Sequence, residues 1–140
     1  MQPFVWESRI RFVDTDASGR IHYTALLRHF EAAEFEFLRA IGCPYLSFSR
    51  EEGGFPRVHV EADYLSALRC EDAISTQVSV DRVGATSYTL AFSVTSNGRA
   101  AGRGKIAVVC MDHQTQRPKP LPERFAKALQ ASRTARGRAE

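Results

Sequence analysis

Only one stretch of this chain carries helical periodicity, and everything else that is apolar alternates. From about Tyr23 to Ile41 the apolar residues Leu26, Leu27, Phe30, Ala33, Phe37, Leu38 and Ile41 recur at spacings of three and four. That pattern predicts a helix of about five turns with a broad apolar face. Gly42 stops it and Pro44 keeps it stopped. Thr24 is a candidate N-cap, with Tyr23 and His22 equally able to hold that position.

Five alternating runs surround the helix. Phe4, Trp6, Ser8, Ile10 and Phe12 alternate with Val5, Glu7, Arg9, Arg11 and Val13, the period of a half-buried strand. After a loop through Gly53-Gly54 and Pro56, the run Arg57 to Leu65 places Val58, Val60, Ala62 and Tyr64 toward the core and His59, Glu61 and Asp63 on the opposite face. Ile74, Thr76, Val78 and Val80 share a face in the next run, and Tyr88, Leu90, Phe92 and Val94 in the one after. A loop over Val83-Gly84-Ala85 sets Val80 opposite Tyr88 and Val78 opposite Leu90.

Asn97-Gly98 signals a hairpin. A plain two-residue turn would pair Phe92 with Arg103 and Leu90 with Lys105, burying charge. A three-residue loop with Gly98 as a left-handed bulge pairs Phe92 with Gly102, Leu90 with Gly104 and Tyr88 with Ile106, and parity favours it. The glycines then leave space opposite large side chains, as a sheet curving around a helix needs. Pro118, Pro120 and Pro122 form a stiff connector before a short helix over Glu123 to Ala131. One helix and five strands bury their apolar faces together only if the sheet wraps the helix. The expected fold is therefore α+β, a five-stranded antiparallel sheet around one long central helix, in a single domain over residues 1–131.

At 140 residues the chain has room for one sizeable core and no second domain. No run approaches the 18 or more apolar residues of a membrane span, and no leader precedes Phe4-Val-Trp6, so a cytoplasmic location is expected. Cys43, Cys70 and Cys110 are odd in number and widely spaced, which argues against a disulfide framework and reads as small hydrophobes. The net charge of +3 is uneven, for seven basic residues from Arg117 to Arg138 face only Glu123 and Glu140 after position 116. Such a tail attracts phosphates, but with Phe125 its only aromatic it lacks the interleaving that nucleic-acid binding uses, and no nucleic-acid partner is expected. Residues 132–140 are expected to be basic and disordered.

The chemistry concentrates in Asp14-Thr-Asp-Ala-Ser-Gly-Arg-Ile-His-Tyr23, a polar turn between the first strand and the helix. A carboxylate there sits beside a helix start, whose free N–H groups and partial positive charge can polarise a carbonyl. The segments Phe12-Val-Asp-Thr-Asp-Ala-Ser-Gly19, Ile21-His-Tyr23 and Leu27-Arg-His-Phe-Glu-Ala32 resemble the hotdog-fold acyl-CoA thioesterases of the 4-hydroxybenzoyl-CoA thioesterase and YbgC-like type. The resemblance covers Phe4 to about Met111 and is most specific at the turn and helix start.

What it implies is a hotdog fold and a thioester hydrolase in which Asp16, the last aspartate of Asp-x-Asp-x-x-Gly, is the nucleophile or general base. The backbone N–H of Tyr23 then points at the thioester oxygen. Gly19, Ile21 and His22 would contact substrate, and His59 and Val60 would wall the acyl and pantetheine tunnel from a strand that meets its partner at a dimer interface. YbgC-like relatives carry a histidine where this chain has Tyr23 and an aromatic residue before it, so the order His22-Tyr23 is closer to the 4-hydroxybenzoyl-CoA enzyme. The partners implied are an acyl-CoA substrate and a second copy of the chain, as a homodimer or homotetramer.

Several rival readings fail on the residues. An EF-hand loop opening at Asp14 would need oxygen ligands where Ser18 and Ala25 stand, and Ala25 supplies none. The histidines show no ligand-spaced pair, so neither a metal nor any other cofactor is expected. Ser18 lacks the flanking glycine of a nucleophile elbow. Asp14 reads as a turn cap. Glu31 reads as a helix-surface carboxylate near Arg28 and Arg39. A second reading of the whole is a hotdog module that binds acyl-CoA or acyl carrier protein without turnover, against which Asp16 counts, since a pure binder gains nothing from a carboxylate beside an electrophile.

Overall fold

The computed structural model describes residues 3–47 and 54–139, with side chains through residue 133. Strand β1 (Phe4–Arg9) leads through a 3-10 turn at Phe12–Asp14 and the polar loop to helix α1 (Ala25–Ala40). Four strands follow, β2 (Arg57–Tyr64), β3 (Ala73–Val83), β4 (Ser87–Ser96) and β5 (Arg99–Val109), and a terminal helix α2 (Glu123–Ala139) closes the chain. The strands form one antiparallel sheet in the order β1-β3-β4-β5-β2. This is the expected α+β hotdog arrangement, with β1 and β2 at the two edges.

The helix lies on the concave face because two sheet positions carry no side chain. Leu26 reaches toward Gly102, and the Phe30 ring lies over Gly104 while stacking on Phe92 at 4.7 Å between centroids. Leu26, Phe30, Ala33, Phe37 and Leu38 are all buried in the core with Val78, Val80, Leu90, Phe92 and Val94. At roughly 2 kcal/mol for each large apolar side chain taken out of water, this face outweighs any helix propensity in holding α1 in place. Gly42, at φ +81°, ends the helix as expected.

Five sequence expectations need correction. Strand β1 stops at Arg9 rather than continuing through Val13, and Phe12 and Val13 stand 82% and 77% exposed on the 3-10 turn. The Asn97-Gly98 turn does have two residues, with both at positive φ (51° and 74°) and Ser96 paired to Arg99. Parity is instead restored inside β5, where a bulge at Ala101 shifts the pairing so that Phe92 meets Gly104 and Leu90 meets Ile106. In the β3–β4 pair a bulge at Asp81 likewise sets Val80 opposite Leu90 and Val78 opposite Phe92, two residues away from the expected register.

A further difference concerns β2, whose Val58 and Val60 are exposed rather than core-facing. As an edge strand, β2 lies beyond the strip of sheet that the helix covers. The terminal helix also outruns its expected end at Ala131 and runs to Ala139. Its apolar side anchors through Phe125, which meets Tyr88 edge-on at 5.2 Å, and through fully buried Leu129. Gly53 of the expected loop lies outside the described residues. Cys43 and Cys110 are buried and Cys70 is half-buried, all three as free thiols.

Candidate active site

The loop between β1 and α1 is a small hairpin of its own. Thr15 bridges to Ile21, Asp16 N–H donates to the Arg20 carbonyl at 3.1 Å, and Gly19 N–H donates to the Asp16 carbonyl at 2.9 Å. Gly19 closes the turn at φ +79°, a conformation costly for any residue with a Cβ. Ile21 is half-buried against the core and its N–H donates to the Leu68 carbonyl, which ties the hairpin to the body.

Asp16 stands exposed at the start of that turn. Its Oδ1 accepts both the Ser18 hydroxyl at 2.5 Å and the Ser18 N–H at 2.8 Å. Oδ2 takes no hydrogen bond among the described residues. These two bonds from Ser18, hydroxyl first, hold the carboxyl below the usual carboxylate range, and the nearby His22 imidazole adds to the effect. The group is thus ionised at neutral pH with one oxygen fixed and the other open.

The helix start is pinned from several sides. His22 N–H donates to the Asp14 carbonyl at 2.7 Å, and the His22 ring takes the Thr24 N–H at 3.1 Å while lying 2.8 Å from the Thr24 hydroxyl. Thr24 occupies the N-cap position but makes no cap bond with its own side chain, and the first helical N–H, that of Ala25, donates to the His22 carbonyl at 2.9 Å. The His22 ring stacks on Tyr23 at 4.5 Å, and the Tyr64 hydroxyl of β2 donates to the Tyr23 carbonyl. Burial, with Tyr23 beside it, raises the Tyr64 phenol, which keeps it a donor across the neutral range. Tyr23 N–H has no acceptor among the described residues. Tyr23 precedes the N-cap, so this is a loop amide just ahead of the helix start.

Asp16, His22, Gly19 and Tyr23 therefore share one small region, and Ile21 lies beneath it. His59 and Val60 do not join them within one chain. Both are exposed on the free edge of β2, where His59 pairs with Glu61 at 3.1 Å. Sequence reasoning missed Tyr64, although alternation already put it on the Val58–Val60 face, and it missed His29 and Ser18. Glu31 also lacks its expected neighbours, for Arg28 pairs with Asp14 and Arg39 with Glu36. Among the described residues there is no group of three or more His, Cys, Asp or Glu that could hold a metal ion, and no helix long and apolar enough to cross a membrane.

Comparison with known proteins bears on the whole chain. The model of the thioesterase-like superfamily matches residues 10–129. A 1,4-dihydroxy-2-naphthoyl-CoA hydrolase of Synechococcus sp. (strain RCC307) is 32% identical over 128 residues, covering 88% of this chain and 98% of that one. The acyl-CoA thioester hydrolase YbgC of Escherichia coli O157:H7 is 25% identical over 121 residues, covering 86% of this chain and 90% of that one. The crystal structure of a DHNA-CoA thioesterase from Staphylococcus aureus shares the fold at a TM-score of 0.90, with 16% identity over 97% of this chain and 94% of that one. With the family model spanning residues 10–129, the chain belongs to the thioesterase-like superfamily and is a thioester hydrolase.

Proposed function

We propose that this chain hydrolyses an acyl-CoA thioester, with Asp16 as nucleophile or general base and the Tyr23 N–H as the donor that receives the developing oxyanion. The observation that carries the proposal is the pairing of two unsatisfied groups. Asp16 Oδ2 is open while Oδ1 is held by Ser18, and Tyr23 N–H is open while its neighbours on both sides are bonded. A thioester carbonyl bound between them would present its carbon to the carboxylate and its oxygen to the amide. The loss of one such donor costs on the order of 3 kcal/mol in comparable enzymes.

In this reading the Asp16 carboxylate either adds to the carbonyl carbon, expelling the thiolate to leave an acyl–aspartyl anhydride that water opens, or removes a proton from attacking water. Either route returns the carboxylate and releases a free acid and CoA. No resident metal or cofactor enters either route. Gly19, Ile21 and His22 would border the substrate, and the positive charge of the basic residues from Arg117 to Arg138 would attract the CoA phosphates. The relatives named for 1,4-dihydroxy-2-naphthoyl-CoA favour an aromatic acyl group. Acyl-CoA as substrate fits a cytoplasmic location.

The exposed edge strand β2, with Val58, Val60, His59 and a row of unpaired backbone groups, is the surface a second copy would cover. A homodimer, or a tetramer built from it, would bring His59 and Val60 of one protomer to the Asp16 turn of its partner. Asp16→Asn tests the assignment directly. It should fold as the parent does and lose thioester hydrolysis by a factor of hundreds or more, as expected when an essential nucleophile or base is removed. Near-normal turnover would refute the role of Asp16. Single-turnover hydrolysis in ¹⁸O water separates the two routes, since only the nucleophilic one leaves label in the aspartate. The alternative module that binds without turnover predicts no thiol release from any acyl-CoA.

A further inference from the structure

Beneath the Asp16 turn lies a cluster that the proposed reaction does not use. Asp14 is buried at 5% exposure, and its Oδ2 accepts the Arg11 N–H at 2.8 Å and His29 Nε2 at 3.0 Å while Oδ1 accepts Arg28 at 3.1 Å. Burial alone would raise the Asp14 carboxyl, but these three donors outweigh it and hold the group below the usual carboxylate range. An ionised acceptor places the His29 proton on Nε2. The other ring nitrogen, Nδ1, faces Ser8 Oγ of β1 at 3.5 Å. Asp14 is also bonded through its main chain, for its carbonyl takes the His22 N–H at 2.7 Å.

One residue is therefore held through its side chain by α1 and through its backbone to the residue before Tyr23, and it stands two positions from Asp16. Both halves of the proposed reaction centre hang from it. We infer that His29 and Arg28 are positioning residues for thioester hydrolysis, acting through Asp14 on the Asp16 carboxylate and the Tyr23 N–H. The inference rests on the function proposed above. Ser8, His29 and Asp14 stand in the order of a nucleophilic relay, but 3.5 Å is long for a proton transfer from Oγ, and the hydrogen bonds within 3.1 Å all converge on Asp14.

The test compares each removal with its conservative counterpart. His29→Phe loses the donor and His29→Gln keeps one; a cleft of about 340 Å³ between β1 and α1, open to solvent and lined by Trp6, Ser8, Asp14 and His29 among others, gives the phenyl ring room. Arg28→Met loses the cation and Arg28→Lys keeps it, and since the Arg28 side chain is 56% exposed these two leave folding intact. His29→Phe and Arg28→Met should each lower kcat about tenfold with KM within about twofold, the signature of a misplaced reacting group, while the Gln and Lys variants stay within about threefold of the parent.

Unchanged kcat in both removals, an equal loss in the conservative variants, or a loss confined to KM overturns the inference. So does a loss in Ser8→Ala as large as that of Asp16→Asn, which would make Ser8 the nucleophile. Asp16→Asn measured alongside separates the two levels. If it turns over normally, the reading of Asp16 fails; if it is inactive while His29→Phe and Arg28→Met are unchanged, only the positioning role fails.

Discussion

Gly104→Ala should be the most damaging single-methyl change in the sheet. A Cβ at this position would lie 2.5 Å from Phe30 Cε2 and closer still to the Glu61 carbonyl oxygen. Neither neighbour yields easily, because Phe30 is fully buried and stacked on Phe92, and Glu61 is main chain in the β2–β5 ladder. Relief requires moving the ring off Phe92 and spreading two strands. Overpacking of this kind costs about 1–3 kcal/mol, and a displaced ladder hydrogen bond adds about 1 kcal/mol. The lower unfolded-state entropy of alanine returns about 0.4–1 kcal/mol. The net loss is then about 2 kcal/mol, or a fall of about 7 °C in melting temperature for a chain of this size.

Gly102→Ala is the internal control. There the Cβ meets Leu26 Cδ2 at 3.1 Å, the far end of a flexible side chain, and the change should stay within about 1 kcal/mol of the parent. Urea unfolding followed by circular dichroism gives both values from midpoints at constant m. If Gly104→Ala unfolds within about 1 kcal/mol of the parent, or no earlier than Gly102→Ala, the close seating of α1 on β5 is refuted. Because Phe30 lies two turns along the helix from Tyr23, the same variant should also lower kcat measured well below its melting temperature.

Three further outcomes follow from the site and the core. Tyr64→Phe, which frees the Tyr23 carbonyl, should lower kcat by about fivefold to tenfold for the loss of one hydrogen bond, whereas Tyr23→Phe should change kcat far less because the proposed contact is main-chain; a large loss in Tyr23→Phe would mean the phenol takes part. Glu34 is 1% exposed, and burial raises its carboxyl against the opposing pull of Arg57 at 2.5 Å, so its contribution to stability is full below the ordinary glutamate value and is lost as pH rises through the raised folded value. Asp14, held low, contributes above the ordinary aspartate value and loses its contribution as pH falls through the lowered one; unfolding across pH should show Glu34→Gln flattening the first slope and Asp14→Asn the second. Mixing Asp16→Asn chains with chains disabled at His59 and Val60 should restore some activity in verified hybrids, and no rescue would show that each site is built within one chain.

The fold was legible because its two periods do not mix. A single 3.6-residue run among alternating runs leaves few ways to bury every apolar face, and Gly42 marks the end of that run without ambiguity. Registers were harder to read. Parity demanded one irregularity near Asn97-Gly98, but periodicity does not say whether it lies in the turn or at Ala101, and only the buried contact of Gly104 with Phe30 decides it. The end of β1 was hidden for a related reason. Phe12 and Val13 continue the alternation in letters while the chain has already turned outward, and apolar residues on an exposed turn look the same in sequence as apolar residues in a strand. In the site, Asp16 and Tyr23 were found through a local motif. Asp14 with His29, and Tyr64 with Tyr23, are partners 15 and 41 residues apart, and no local spacing announces them.

The bulge at Ala101 also sets what lengths β5 can tolerate. Ala101 is the extra residue that lets Gly102 and Gly104 face the helix while Arg103 pairs with Asp63 in solvent, and its carbonyl receives the Leu65 and Ser66 N–H groups just after β2. Deleting it would remove the bulge and leave the rest of β5 in place against β4, with Val94 still opposite Gly102 and Phe92 opposite Gly104 in a regular two-residue hairpin. A slip of one position in the register, by contrast, would turn every later side chain to the other face, driving Arg103 and Lys105 against Leu26 and Phe30 and turning Ile106 and Val108 to water. The hairpin can therefore shorten by one residue at the bulge while Gly102 and Gly104 keep facing the helix, so among chains that fold this way the length of this segment should vary by one at this point.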